Sequence, residues 1–532
     1  MKTIHYYIYT LLLLLLPCMA AAEDAVPVLW QAAPKHELRA VWVTTLNGLD
    51  WPRTRATSHF TRQLQQQELC HLLDQLKAAN INTVLLQTRV RGSVIYPSKI
   101  EPWDICLTGQ YGTDPGYDPL AFAIDEAHKR GLELHAWVVT IPCFKIAVAK
   151  QMGNRTVLRR HPELCVRHGD QYYLDPGLPG TADYLSEVCK EIVQNYDVDG
   201  IHFDYIRYPE NASSFADAKT YKRYALGGQS KAQWRRDNIT RIVRRIYNET
   251  HAAKPWVKVS SSPVGKYADL PRYSSRGWNA RDAVHQDAIG WLRAGIHDIL
   301  FPMMYFDGNH FYPFAADWQE QTAGRQVAPG LGIYFLHPQE KNWPLSAIKR
   351  QLYYLRHVGT AGQCYFRSKF LTDNVKGLYS FLRDDFYAYP ALVPPSPWLR
   401  DETPLAPSNV RTTVVSDAVE EIAWDAAPNM RYNVYASRQW PVDVSLAENL
   451  LASSLYGSSY RYDRFEALGL YFAVTAMDRF GNESAAVQVS ESAAATTRQR
   501  LKLDADGHVR GLVVRPVVKS KNNKKSGRKR KK

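Results

Sequence analysis

The chain is poor in cysteine for its length. Seven are scattered over 532 residues, with no Cys-x-x-Cys pair and no spacing suited to zinc. That excludes a disulfide-stapled scaffold and a zinc-finger-like fold, and the thiols are expected to be buried as small apolar groups. Past residue 22 no stretch approaches the roughly 20 apolar residues that a membrane-spanning helix needs. The glycine-rich first turn of a dinucleotide-binding sheet is also missing. Acidic residues are absent from Lys519 to Lys532, where nine Lys or Arg stand; without those nine the net charge falls from +14 to +5. The rest of the chain is only mildly basic, which argues against a specific nucleic-acid partner.

Aromatic residues, by contrast, are abundant. They make up 12% of the chain, with 14 Trp and 32 Tyr, enough either to fill a large core or to line a cleft with rings. At 45% hydrophobic and 22% charged residues the composition is globular, and the length calls for two or three domains. Met1-Lys2, the apolar run Leu11 to Leu16 and Ala20-Ala21-Ala22 read as a secretory signal peptide over residues 1–22. The product is therefore expected outside the cytoplasm, in the periplasm or at the outer membrane. Cys18 follows Pro17 rather than the small residue that normally precedes a lipid-modified cysteine, which weighs against lipidation. Residues 390–407 form a Pro-rich linker. Residues 408–493 carry short alternating strands at Ile422-Ala423-Trp424, Tyr432 to Tyr435 and Tyr471 to Ala476, a pattern that resembles a fibronectin type III sandwich. Residues 494–532 read as a disordered basic tail, whose expected contact is anionic wall polymer or a membrane surface.

Residues 35–389 alternate strand with helix. Eight short, β-branched runs begin at Arg39, Thr83, Leu134, Gly200, Val257, Asp298, Val327 and Gly362, and near-continuous apolar runs are how fully buried parallel strands read. Helical stripes lie between them: Leu69, Leu72, Leu73 and Leu76 share one face, and Pro119 and Gly131 bracket another helix. This predicts an α/β chain folded as a (β/α)8 TIM-type barrel, with an open doubly wound sheet as the alternative. Active sites of such barrels sit at the C-terminal ends of the strands. The loop from Arg91 to Tyr117 is expected to be the longest there.

The segment Val198-Asp199-Gly200-Ile201-His202-Phe203-Asp204-Tyr205-Ile206-Arg207-Tyr208-Pro209 is the fourth strand and its exit. Alternation puts His202 and Asp204 on one face, with Asp204 at the rim. A carboxylate there is costly unless paired or used. His202 and Arg207 are candidates to hold it ionised, and a salt bridge from Asp204 to Arg207 is the structural alternative.

This segment, with Glu37 to Trp42, Asp50-Trp51-Pro52, Tyr96-Pro97-Ser98, Glu101-Pro102-Trp103, Pro115 to Leu120, Arg130 to Trp137 and Leu174 to Gly177, resembles the glycosyl hydrolase-like ten family. The resemblance spans about Glu37 to Phe366. It implies a barrel glycoside hydrolase of envelope polysaccharide, peptidoglycan glycan strands stripped of stem peptides in one branch, with Asp204 as nucleophile, base or cation stabiliser. It implies no cofactor and no metal. Strand four is also similar to its counterpart in α-amylases, where the last Asp is the nucleophile. The acid of those enzymes would end strand five, yet Ser260-Ser261-Ser262-Pro263 has no carboxylate. The chitinase pattern would put its acid at Ile206.

The second carboxylate is therefore open among Glu101, Asp175 and Asp307. Glu101 lies between Tyr96 and Trp103, a setting that can raise a carboxyl toward an acid's role. Asp175 begins an Asp-Pro-Gly turn and is as readily a turn cap. Arg89 is expected to grip a sugar carboxylate, such as the lactyl group of a muramic residue, or to pair with Asp204. Tyr96, Trp103, Trp137, Tyr305 and Tyr334 are candidate substrate platforms. The competing function is a catalytically weak glycan-binding barrel held to the envelope.

Overall fold

The computed structural model describes residues 33–271, 273 and 278–489. The signal-peptide and basic-tail readings lie outside these residues. The first body holds eight parallel strands: β1 (Leu38–Val43), β2 (Thr83–Arg89), β3 (Glu133–Val139), β4 (Gly200–Asp204), β5 (Lys258–Ser261), β6 (Ile299–Leu300), β7 (Gln326–Val327) and β8 (Gly362–Tyr365). Each strand from β1 to β7 pairs with its successor, except that β7 meets β8 through its continuation Gly330–Leu331, and β8 pairs with β1. The ring therefore closes into a TIM-type barrel. All eight lie where the apolar runs predict them. The sixth and seventh are shorter than their runs, because Pro302 and Pro329 have no N–H to give the ladder.

Helices cover the outside. In α1 (His59–Ala78), capped by Ser58, the stripe Leu69, Leu72, Leu73 and Leu76 is buried. In α2 (Pro119–Lys129) the Asp118 carboxylate caps Leu120 and Ala121. Then come α3 (Pro179–Asn195) and α4 (Lys231–Ala253), which lie against each other. The largest rim excursion follows β3, not β2. Between Val139 and α3 it folds a small antiparallel sheet from Pro142–Lys145, Gln171–Leu174 and Cys165–His168.

Residues 408–489 form two antiparallel sheets whose facing sides share one core, including Ile422, Trp424, Tyr432, Val434 and Phe472. This sandwich sits at the N-terminal end of the barrel strands. There Arg431 pairs with Asp199 and Glu133, Arg479 reaches Asp197 at 2.9 Å, and Lys258 lies 2.8 Å from Glu133. The start of the Pro-rich stretch is packed rather than free: Leu392 exchanges backbone hydrogen bonds with Lys35 and Glu37, and Trp398 donates to Asp298 at 2.7 Å. Six cysteines, Cys70, Cys106, Cys143, Cys165, Cys189 and Cys364, are free thiols.

Candidate active site

Strand β4 delivers Asp204 to the C-terminal rim with its side chain held from both sides. Trp137, on neighbouring β3, donates its indole N–H to Oδ2 at 3.2 Å. Ser262, just past β5, donates its hydroxyl to Oδ1 at 3.1 Å, and the Tyr205 backbone N–H donates to the same oxygen at 2.8 Å. The backbone is fastened too, since the Thr140 N–H and hydroxyl both donate to the Asp204 carbonyl. Burial pushes the carboxyl above its ordinary value; the Arg207 charge and the three donors pull it back down. A carboxylate in this state is poised to stabilise positive charge, since little water competes for it.

Tyr205 follows in the left-handed region, at φ 53°. An aromatic residue there costs roughly 1–3 kcal/mol, a strain that clusters at functional sites. Around the rim stand Tyr305, Tyr334 and Phe366. Tyr305 stacks on Phe366 at 5.3 Å and meets Tyr334 edge-on at 5.8 Å. Gly332 suits this wall, because a Cβ there would lie 3.0 Å from Tyr305 and push it aside by a few tenths of an ångström. Burial raises the Tyr305 phenol well above its usual range, and the Asp204 charge adds to the effect.

Several expected site residues are used elsewhere. Glu101 is not a rim acid. Its side chain is fully enclosed, both oxygens are bound by the Arg89 guanidinium at 2.7 Å, and the Tyr184 hydroxyl from α3 adds a third bond at 2.6 Å. Arg89 is thereby also removed from substrate and from Asp204; its remaining nitrogen bonds the Val139 and Thr140 carbonyls. Tyr96 and Trp103 are buried in the core, with the Tyr96 hydroxyl on Glu191 of α3. They cannot stack on sugars. The middle of the loop after β2 lies against α3, where Tyr96, Ser98 and Lys99 all bond Glu191, and its second half lies against α1, where Gln65 bonds the Leu107 carbonyl and the Tyr117 hydroxyl.

Trp137 is a donor to Asp204 rather than a platform. Asp175 is a turn cap, its oxygens taken by the Gly177 N–H and the Thr220 hydroxyl. His202 does not reach Asp204. It lies inside the barrel between the Trp42 indole N–H, 3.1 Å from Nε2, and the Ser260 hydroxyl, 3.0 Å from Nδ1. Burial lowers its pKa far below the ordinary histidine value, so it stays neutral. Arg207 forms no salt bridge with Asp204, although its charge acts there. Asp307 is on the rim after β6, half-buried, capping the Gly308 N–H at 2.8 Å. Sequence reasoning missed Ser262 and the role of the Tyr205 backbone. The Ser-Pro end of strand five, beside strand four, was the available signal for the first. Among the described residues no group of three or more His, Cys, Asp or Glu is placed to hold a metal ion.

If the Trp137 indole tunes Asp204, Trp137→Phe should lower kcat about ten- to a hundredfold, the range for a hydrogen bond to a charged group. Losing a donor to the carboxylate also raises its pKa. The acidic limb of the kcat profile should therefore move to higher pH, and an unmoved limb would show the indole to be packing only.

The family model described as glycosyl hydrolase-like 10 matches residues 37–335. Glycosyl hydrolase YngK of Bacillus subtilis is 32% identical over 416 residues, covering 73% of this chain and 79% of that one. Glycosyl hydrolase DigH of Escherichia coli K12 is 32% identical over 323 residues, 56% of this chain and 73% of its own. Among solved structures, the PgaB (BpsB) glycoside hydrolase domain from Bordetella bronchiseptica aligns at a TM-score of 0.41 and 14% identity, over 65% of this chain and 98% of that domain. The catalytic domain of β-amylase from Paenibacillus polymyxa aligns at 0.46 and 11%, over 67% and 99%.

Proposed function

Because the chain belongs to the glycosyl hydrolase-like 10 family, we propose that it is an exported glycoside hydrolase that cleaves O-glycosyl bonds of a cell-envelope polysaccharide, peptidoglycan glycan strands stripped of stem peptides first among them. The observation that carries this reading is Asp204: a buried, raised carboxylate on the strand-four rim, held by three donors beside an aromatic wall. In this proposal Asp204 is the nucleophile, or the carboxylate that stabilises the oxocarbenium ion. The wall of Tyr305, Tyr334 and Phe366 offers sugar faces an apolar surface, and the Tyr205 N–H, the Ser262 hydroxyl and the Trp137 indole keep the carboxylate aimed. Two rim carboxylates are proposed for the general acid: Asp307, after β6, and Glu210, six residues past Asp204, whose exposed side chain lies 3.7 Å from Arg207. The basic tail would hold the enzyme to anionic wall polymer or membrane.

A second reading, a glycan-binding barrel with little turnover, draws on one observation. Glu101 and Asp175, two of the three acids that the sequence offered, are tied into internal hydrogen bonds. Incubating the purified chain with denuded glycan strands and measuring new reducing ends separates the two. Release by wild type and loss in Asp204→Asn is the expected result. For the acid, aryl glycosides with good leaving groups should restore either Asp307→Asn or Glu210→Gln, because such groups depart without a proton. Binding of strands with no reducing ends over wild type and Asp204→Asn alike would select the binder.

A further inference from the structure

Six arginines are buried among the described residues, and Arg207 stands apart from the other five. Arg39, Arg89, Arg235 and Arg479 each lie 2.7–2.9 Å from a carboxylate oxygen, and Arg431 is paired with Asp199. The nearest carboxylate to Arg207 is Glu210 at 3.7 Å, whose side chain is 68% exposed. Its Nε has no hydrogen-bond partner, and one terminal nitrogen makes only a 3.4 Å bond to the Tyr208 carbonyl. A buried cation left this poorly paired is costly.

What does hold Arg207 is a pair of rings. Its guanidinium lies 4.7 Å from the Tyr205 ring and 5.4 Å from that of Trp278, which is 38% exposed. Stacking positions the plane of the fork and uses none of its N–H donors. A second cation joins it: the half-buried Arg91, at the exit of β2, lies 5.9 Å from the same Tyr205 ring and adopts φ 118°. Among the described residues Arg91 has no carboxylate within salt-bridge distance. Asp204 is the adjacent acid, and its two oxygens are already taken by Trp137, Ser262 and Tyr205.

We infer that Arg207, with Arg91 across the Tyr205 ring, forms an anion subsite beside Asp204 that receives a carboxylate carried by the polysaccharide. This rests on the hydrolase reading for the identity of the chain bound, but not on turnover. A guanidinium edge matches a planar carboxylate bidentately. The subsite would select sugars with a free acid group, such as an unsubstituted lactyl ether, over the same sugars amidated or reduced. The internal ion pair with Glu101 removes Arg89 from that task.

The test uses the full chain and two probes: denuded glycan strands, and the same strands with their carboxyls reduced to alcohols. The quantity measured is the ratio of the two dissociation constants at fixed salt. Wild type should bind the reduced strands about tenfold or more weakly. Arg207→Gln should bind native strands as weakly as wild type binds reduced ones, and lose most of the discrimination. Any contribution of the basic tail is common to both proteins and cancels in the comparison. Arg91→Gln, a half-buried position, gives a second reading should Arg207→Gln fail to fold, and is expected to lose part of the ratio. No discrimination by wild type, or full discrimination by a folded Arg207→Gln, overturns the subsite. Reducing ends counted in the same incubations score the hydrolase reading separately: their absence with discrimination retained would reject turnover and keep the subsite.

Discussion

Asp204→Asn is expected to cut turnover about a thousandfold or more, the equivalent of roughly 4 kcal/mol of transition-state stabilisation. The fold should survive. An amide keeps an oxygen for the Tyr205 N–H and the Ser262 hydroxyl and removes a charge that burial already disfavours, but it turns an NH2 group toward the Trp137 indole and loses that bond. The melting temperature should therefore change little, the relief of the buried charge offsetting the lost bond. Wild type should show the same dependence through pH. The ionised carboxylate is the working form and its pKa is raised, so activity should fall as pH drops through a limb lying above the ~3.9 of an unperturbed aspartate. Activated aryl leaving groups should not rescue the variant, since the charge is needed before departure matters. Near-normal turnover, or a limb unchanged by the substitution, would take Asp204 out of the chemistry.

The barrel was legible because eight parallel strands, buried on both faces, leave eight apolar runs at a spacing that only helices can bridge. Asp204 was legible for a related reason: alternation along β4 places it at the rim without any knowledge of neighbours. Its partners were not, since Trp137 and Ser262 come from the two flanking strands and depend on register. The position of Arg89 was misread for a definite cause. The ladder between β2 and β3 shifts between Gln87 and Arg89, so the period of two stops holding there. Gln87 turns toward the β1 exit and accepts from Thr44, Thr45 and Leu46. Arg89 turns outward beneath α3, and the loop behind it follows, carrying Tyr96 and Glu101 into the outer layer. Tyr96 is core because α3 covers it, a fact of tertiary packing that composition does not contain.

Glu101→Gln tests that account with an effect on stability rather than rate. Removing one partner of a fully buried ion pair leaves the other as an uncompensated charge, at a cost of about 3–5 kcal/mol. Here the survivor would be Arg89, whose side chain is fully enclosed, with only a neutral amide, the Tyr184 hydroxyl and two carbonyls around it. A large fall in melting temperature or denaturant midpoint is expected, together with lost anchoring of the β2 and β3 exits. The double substitution Glu101→Gln with Arg89→Met should recover much of the loss, because it removes the stranded charge and fills the same volume with an apolar chain. An acid role predicts the opposite pattern: a stable Glu101→Gln protein, nearly inactive on natural glycan and restored by aryl leaving groups. Only the first pattern fits a carboxylate whose two oxygens are both held by one guanidinium behind a helix, so a stable, leaving-group-rescued variant would refute the structural role assigned to the pair.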